Sequence, residues 1–409
     1  MRIRHGILMI ILVMLATTAS TQGAWPDAPT TFELTLDSAI TRALTISPSL
    51  ELAQLEAEKA RLEQRVTERA TEDLGDVSSY QVAVVKYLYP EQRRLAVQLA
   101  DWRVEGVQAN IALQVRTAYL GKLLSREMLS VTQEAVSAAK EQVRLTQRLY
   151  ESGMVPRKDV MDASVRHSEA QASLLRAEKD LALAMMGLAR VIGLPLDAQI
   201  QLEPGVPLLE VAGTSLPEQI EKGLKHRFEL RQRLNAIKLA RLNHSLAEEY
   251  PATMSWQDWM DEWPEEVPVP PWLPWEDEDV EEDDELNEIN RREAEIEYQQ
   301  AIIYYLLTKD EIQMQIRDAT LQIEEASQRL MVSEQGLKAA EEGLRLARLR
   351  YQAGVGTNLE TISAELARSQ AQTALVAALF EHELAKAAYL HRASAGFVGS
   401  EDASLRMGR

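Results

Sequence analysis

Few side chains in this sequence are placed to do chemistry, and most of those are carboxylates. Asp159 and Asp162 follow a glycine at Gly153, and Glu360 follows a second at Gly354. Thr357-Asn-Leu-Glu360 reads as a capping box, and acids in a first helical turn offset the helix dipole, so helix capping is one reading of all three. The turns themselves, Gly153-Met154-Val155 and Gly354-Val355-Gly356, read as helix C-caps that need a positive φ. A second concentration is aromatic. Trp256, Trp259, Trp263, Trp272 and Trp275 lie among Pro264, Pro268, Pro270, Pro271 and Pro274. Tryptophan with proline suits a membrane interface or a bound partner, and a solvated loop is the alternative.

Other chemistries lack their residues. Cysteine is absent, which excludes disulfides, thiolate metal sites, cysteine nucleophiles and a lipid-modified N-terminal cysteine. The six histidines are scattered, with no HxxxH or HExxH pair. No metal or cofactor is expected. No nucleophile–base constellation or phosphate loop is present, so the chain is not expected to be an enzyme. The formal net charge of −19 argues against nucleic acid, which needs a basic patch. Fifteen carboxylates between Gln257 and Asn290, with no Lys or Arg among them, account for most of that imbalance.

The elements that would position these groups are helices. The chain of 409 residues has only four Phe but many Ala, Leu, Glu, Gln and Arg. It also repeats itself. Tyr150-Glu-Ser-Gly153 recurs as Tyr351-Gln-Ala-Gly354, and the same offset pairs Ala163 with Ala364, Gln171 with Gln372 and Leu183 with Leu384. Upstream, Leu36, Ile40, Leu44 and Leu50 match Leu216, Ile220, Leu224 and Leu230 at a shorter offset, which fits an insertion in the second copy. Residues 91–152 and 289–353 hold no proline and only isolated glycines. As helices they would each run roughly 90–100 Å at ~1.5 Å per residue. Leu129, Val136, Val143 and Tyr150 step by seven, as do Leu330, Leu337, Leu344 and Tyr351, the spacing of supercoiled helices. Return helices are expected over about 156–193 and 357–394, with an alanine every seventh residue letting the axes approach. Shorter helices should begin at Ser47-Pro48 and at the capping box Ser215-Leu-Pro-Glu218.

The expected fold is all-α: two tandem repeats of long antiparallel coiled-coil hairpins with little or no β. Residues 1–24 read as an export signal, with Arg2, Arg4 and His5 before the apolar run from Ile7 to Ala16; a retained anchor is the alternative. The first repeat is expected over 32–200, a linker over 201–214, and the second repeat over 215–396 with an acidic Trp/Pro-rich insertion at 251–288. A flexible tail would fill 397–409.

Four strings in this order resemble the TolC-type outer-membrane efflux family. They are Leu34-Thr-Leu-Asp-Ser-Ala-Ile-Thr-Arg-Ala-Leu44 with Ser47-Pro-Ser-Leu50, Arg116-Thr-Ala-Tyr-Leu-Gly-Lys-Leu-Leu124, Arg148-Leu-Tyr-Glu-Ser-Gly153 with Asp159-Val-Met-Asp-Ala163, and Arg348-Leu-Arg-Tyr-Gln-Ala-Gly354 with Leu359-Glu360. The resemblance covers roughly 32–245 and 289–396. It implies a homotrimer whose hairpins form one hollow helical cylinder, a duct docked to a periplasmic adaptor and an inner-membrane exporter. It implies that Asp159, Asp162 and Glu360 face the bore near its narrow end, and that both glycine turns meet the adaptor. It places the chain in the periplasm or at the outer membrane. Where the family has a basic residue two positions past the second glycine, this chain has Gly356, so a salt-bridged gate is not expected there.

The family also carries two β-strands per repeat, which close a barrel in the outer membrane. A membrane strand needs ~9–11 alternating residues. Only Tyr80-Gln-Val-Ala-Val-Val-Lys-Tyr-Leu-Tyr89 is strand-like in the first copy, and the second holds the acidic insertion. One unpaired strand cannot cross a bilayer, so no membrane barrel is expected and membrane contact should be peripheral or depend on a partner. A coiled-coil scaffold of the envelope that does not transport is the alternative function.

Overall fold

The computed structural model describes residues 31–250 and 284–394, apart from 73, 76, 78, 204, 206, 208 and 210–214. The export signal, the five clustered tryptophans and the tail therefore lie outside the described residues. The elements in order are β1 (Thr31–Leu34), α1 (Leu36–Ile46), α2 (Pro48–Glu72), α3 (Tyr80–Ala83), a π-helical turn (Val84–Leu88), α4 (Tyr89–Glu151), α5 (Arg157–Val191), β2 (Gln199–Leu202), α6 (Leu216–His226), α7 (Phe228–Glu249), α8 (Asp284–Gln352) and α9 (Asn358–Ser394). The fold is nearly all helical. Helix α8 begins inside the acidic stretch, whose last residues are helical rather than part of a loop.

Both long hairpins turn where the glycines stand. Gly153 and Gly354 have φ of 76° and 73°. Each closes its helix in a Schellman motif: Met154 N–H donates to Leu149 O at 2.8 Å and Gly153 N–H to Tyr150 O at 2.9 Å, and Val355 and Gly354 do the same to Arg350 and Tyr351 at 3.0 and 3.1 Å. Gly356 is held differently. A Cβ there would lie 3.0 Å from Tyr351 N and from Arg350 Cβ, so the chain packs back on its own helix too closely for a side chain.

The shorter helices start and stop by separate devices in the two copies. Thr35 and Ser38 cap α1 reciprocally, with Ser38 N–H donating to Thr35 Oγ1 at 3.1 Å and Thr35 N–H to Ser38 Oγ at 2.9 Å. Pro48 then ends α1, because the residue before a proline is pushed out of the helical region; Ser47 is extended at φ −71°, ψ 115°. The second copy has no proline at the matching break. There Arg227 is the extended residue between α6 and α7. Its buried guanidinium holds Glu229 at 3.0 and 2.9 Å, Gln315 Oε1 at 2.8 Å and Arg392 O at 3.3 Å, tying the break to α8 and α9.

The largest apolar core lies part-way along the molecule. Ala39, Ile40 and Ala43 of α1 meet Ile111, Val115, Tyr119 and Leu123 of α4, Leu188 and Ala189 of α5, and Phe380 of α9. The parallel pair β1–β2 roofs it, with Thr31 opposite Gln199 and Leu34 opposite Leu202. Lys122 reaches up from α4 and donates its ammonium to the Ile200 carbonyl. It is buried, and desolvation depresses its pKa to about 8, with nearby Arg126 adding repulsion.

Tyr80–Tyr89 is not a strand. It is α3, the π turn and the start of α4. Ser79 caps α3, with Val82 N–H donating to its Oγ at 3.5 Å. Val82 and Ala83 are buried, and the Tyr80 hydroxyl donates to Asn243 Oδ1 of α7 at 2.7 Å. A short apolar run does not by itself distinguish strand from buried helix, and here the packing against α7 decides. The wide π turn comes just before Pro90, whose ring would otherwise press on the carbonyl of Lys86. Lys86 closes the loop from α2, donating to Leu74 O at 3.1 Å and Gly75 O at 2.7 Å.

Two expectations follow for stability. Gly193 ends α5 with φ 62°, and a Cβ there would lie 1.9 Å from Ile46 Cδ1, whereas one on Gly153 meets nothing within 4 Å. Gly153→Ala carries only backbone strain of about 1–2 kcal/mol, and Gly193→Ala should lose about 0.5–1.5 kcal/mol more, because the exposed Ile46 side chain must leave its rotamer to make room. Equal losses in urea unfolding would refute this contrast. For Lys122, the folded pKa is below the unfolded one, so the unfolded chain binds more protons between about pH 8 and 10.5 and stability rises with pH through that window. The stability of the wild type relative to Lys122→Met should climb by on the order of 2–3 kcal/mol between pH 7.5 and 10.5. A difference that does not change with pH would count against it.

Candidate functional site at the helical turns

The first turn of α5 and the first turn of α9 sit side by side behind the two glycine turns. Asp159 N–H donates to Pro156 O at 3.0 Å, which starts α5. Asp159 is half-buried, and burial raises its carboxyl pKa, with repulsion from Asp162 adding to the effect and Lys158 opposing it. Asp162 is exposed. At the second turn, Glu360 N–H donates to Thr357 Oγ1 at 3.2 Å, which is half of a capping box. The Glu360 carboxylate does not complete the box. It lies 3.9 Å from Arg350 Nη2, back across the turn.

A buried polar network joins the two turns. Gln142 Nε2 of α4 donates to Asn358 Oδ1 at 2.7 Å, and Asn358 Nδ2 of α9 donates to the Asp159 carbonyl at 3.1 Å. Gln142 and Asn358 are both buried, as are Thr146, Thr361 and Tyr351 around them. The Tyr351 hydroxyl faces Thr146, and burial raises its pKa, with Asp159 pushing the same way. Asn358 therefore touches α4 of one hairpin and α5 of its return while belonging to the other hairpin. Sequence reasoning singled out Asp159 and Glu360 and missed Gln142 and Asn358. The available signal was a polar substitution in the stripe: Val131, Ala139, Gln142 and Thr146 continue one face of α4 at three-, four- and eight-residue steps, and a polar residue at such a position fixes register.

Behind the network lies a groove of about 880 Å³ between the hairpins. Its walls carry Arg148, Arg166, Arg345, Arg348 and Arg368 against Glu134, Glu341 and Glu365. Arg348 holds Glu365 at 2.9 Å and Arg368 holds Glu134 at 3.3 Å. Burial of Glu365 raises its pKa, against the pull of Arg348 and Arg166. In front, the turns present apolar side chains to solvent: Met154, Val355 and Leu359 are all strongly exposed. Among the described residues no cluster of His, Asp and Glu is arranged to hold a metal ion, and no helix is long and apolar enough to cross a membrane. The site offers polar contacts and a charged groove.

Comparison with known proteins agrees with this architecture. Residues 91–194, the first hairpin, match the family described as outer membrane efflux protein. A 99-residue stretch is 29% identical to the alkaline protease secretion protein AprF of Pseudomonas aeruginosa, spanning 24% of this chain and 21% of that protein. The fold is that of solved outer-membrane channels. The outer membrane protein VceC of Vibrio cholerae superposes with a TM-score of 0.69 at 20% identity, over 88% of this chain and 96% of that one. The MtrE outer membrane channel of Neisseria gonorrhoeae gives 0.66 at 18% identity, over 88% and 89%. The CmeC channel of Campylobacter jejuni gives 0.65 at 13%, over 91% and 88%.

The network makes a direct expectation. Asn358→Ala leaves the buried Gln142 amide unpaired and removes the side-chain tie to the Asp159 carbonyl, which keeps its helical partner, at a cost of about 1–3 kcal/mol. Amide hydrogen exchange should quicken in the first turns of α5 and α9 and not in the core around Val115. Uniform exchange in the variant would mean that the network does not hold the turns together.

Proposed function

We propose that this relative of the outer membrane efflux proteins is a duct subunit of an envelope-spanning efflux or type I secretion assembly. Three copies would close a passive helical channel, with no chemical step in transport. The reading is carried by one observation above all: two long hairpins in the fold of solved channels, each ending in the same glycine turn with exposed apolar tips at Met154 and Val355. Those tips, Gly153-Met154-Val155 and Gly354-Val355-Gly356, would meet a periplasmic adaptor that links the duct to an inner-membrane exporter. Asp159, Asp162 and Glu360 would set a cation preference near the narrow end. The half-buried, raised Asp159 would be the weakest of the three in that role near its own pKa.

The helical form of residues 80–89 favours a second reading, a scaffold of the envelope that keeps the hairpins and does not transport. The first copy spends its outer end on helix packing against α7 and supplies no membrane strand among its described residues. Bilayer contact would then be peripheral, through Trp256, Trp259, Trp263, Trp272 and Trp275, or supplied by another protein.

Two measurements test these readings, and the second separates them. Purified protein in planar bilayers at neutral pH should show no channels, and reproducible conductance would overturn the expectation that it cannot insert alone. Photo-cross-linking from Met154 or Val355 in cells should capture an adaptor if the protein is a duct. A scaffold would leave those positions without one.

A further inference from the structure

One stretch of this acidic chain is basic. Residues 216–245, which cover α6, Arg227 and most of α7, hold seven Lys and Arg against three Glu. On α7, Arg231, Leu234, Lys238, Arg241 and Ser245 recur at steps of three and four, which puts them on one face. Lys222 and Lys225 at the end of α6 continue this strip, and Arg231 Nε donates to Lys225 O at 3.2 Å. Lys222, Lys225, Lys238 and Arg241 are exposed, and Leu234 in their midst is 41% exposed. None of the five cations is in an ion pair among the described residues. Lys238 donates to the neutral Asn235 Oδ1 at 3.5 Å, and the Arg231 guanidinium stands 4.8 Å from the centre of the Trp102 ring. Most carboxylates beside the strip are committed: Glu218 to the Ser215 N–H, Glu229 to Arg227, and Glu91 of α4, which acts on Lys238, to Arg94. Glu221 and Glu105 remain, the latter facing His226.

We propose that the acidic segment of this same chain, residues 258–283, docks along the strip. It goes beyond the duct and scaffold readings and depends on neither. The first support is charge. The segment holds twelve carboxylates and no Lys or Arg. The second is where the chain leaves and returns. Helices α7 and α8 run antiparallel: Arg233 Nε donates to Thr308 Oγ1 at 3.3 Å, Asn243 Nδ2 to Glu297 at 3.4 Å and Arg291 Nε to Ala247 O at 3.2 Å. The chain therefore departs after Glu249 and re-enters at Asp284 at the same end of the strip. From Glu249 back to Arg231 is ~27 Å along α7, and from there to Asp284 is ~35 Å, at ~1.5 Å per residue. The stretch between Glu249 and Asp284 can extend over ~110 Å, so it spans that round trip with length to spare.

Tethering favours this occupant over a second copy. A segment held at both ends acts at an effective concentration on the order of millimolar. Its pattern also suits the strip. Trp256, Trp259 and Trp263 are interleaved with Asp258, Asp261 and Glu262, which matches Leu234 set among cations, and a guanidinium favours an indole face. The contact is between exposed charges, so salt weakens it.

The test uses the full chain. A water-soluble carbodiimide should join the Lys238 ammonium to a carboxylate of residues 258–283 as an amide, read by mass spectrometry. In a mixture of isotopically light and heavy chains, each linked peptide should carry a single label. The yield should fall about fivefold at about 1 M salt, where the Debye length is ~3 Å. Lys238→Glu with Arg241→Glu should speed chymotryptic cleavage after the tryptophans of the segment about tenfold. Arg176→Glu with Arg190→Glu, exposed on α5 and equal in charge, should leave that rate unchanged, with circular dichroism the same in both. No link from Lys238, or a cleavage rate that the α7 variant does not alter, overturns the docking. Linked peptides of mixed label give the strip to a second copy. Protection that appears only with vesicles containing phosphatidylglycerol gives it to an anionic lipid surface. Either result overturns it as well.

Discussion

A helix of sixty or more residues has one requirement that shapes everything around it: its apolar stripe must be covered along the whole length. Propensity alone does not hold so long a helix to a single path, and tertiary contact supplies most of the stability. In α4 and α8 that cover comes from an antiparallel return helix, α5 or α9, which begins four residues after the glycine cap. The alanines of the return helices, Ala163 and Ala378 among them, are buried against their partners and let the axes come close. A hairpin covers only one side of each long helix. Within the chain, α9 covers a second side of α4, and α7 covers a second side of α8 around Ile312 and Ile316; farther along, the outer face of α8 carries Leu321, Val332 and Leu346 in the open.

How much of this could be read from residues depends on whether the physical cause is local. The glycine turns were legible because a positive φ leaves a trace in one residue type, and the capping of α6 because Ser215 and Glu218 sit beside the backbone groups they satisfy. The repeat was legible because duplication preserves spacing. Tyr80–Tyr89 was misread because its fate is set by α7, more than 150 positions away, where Asn243 receives the Tyr80 hydroxyl. The network of Gln142 and Asn358 was invisible for the same reason: each is an ordinary helical residue until the two hairpins meet. Arg227 shows a further limit. Ser47-Pro48 announces its break, while Arg227 makes the matching one through contacts with Glu229, Gln315 and Arg392 that no local pattern displays.

The same distinction applies to function. The turns and their carboxylates were found from sequence, yet the side chain that couples the two hairpins is Asn358, a residue with no charge and no chemistry of its own. Its value lies in being buried with both ends of its amide engaged, so that moving one hairpin tip past the other breaks two hydrogen bonds at once and leaves the Gln142 amide without a partner. The charged groove behind it works on a different principle, since Glu134, Arg368, Glu365 and Arg348 remain partly within reach of water and respond to salt.

The pairing of β1 with β2 also fixes an order of events. Each hairpin can zip from its glycine turn through contacts close in sequence, a fast process. The roof over the core cannot form that way. Thr31 must wait for Gln199, and Arg42 of α1, which donates to Ile192 O at 3.1 Å, must wait for the end of α5. A chain made from its N-terminus therefore holds its first described helix without its partners until the whole first hairpin exists. During that interval Ala39, Ile40 and Leu50 are open to other chains. The slow step in folding is then the closing of this long loop, and a companion that shields residues 31–50 would speed recovery of the native protein more than one that binds the hairpin tips.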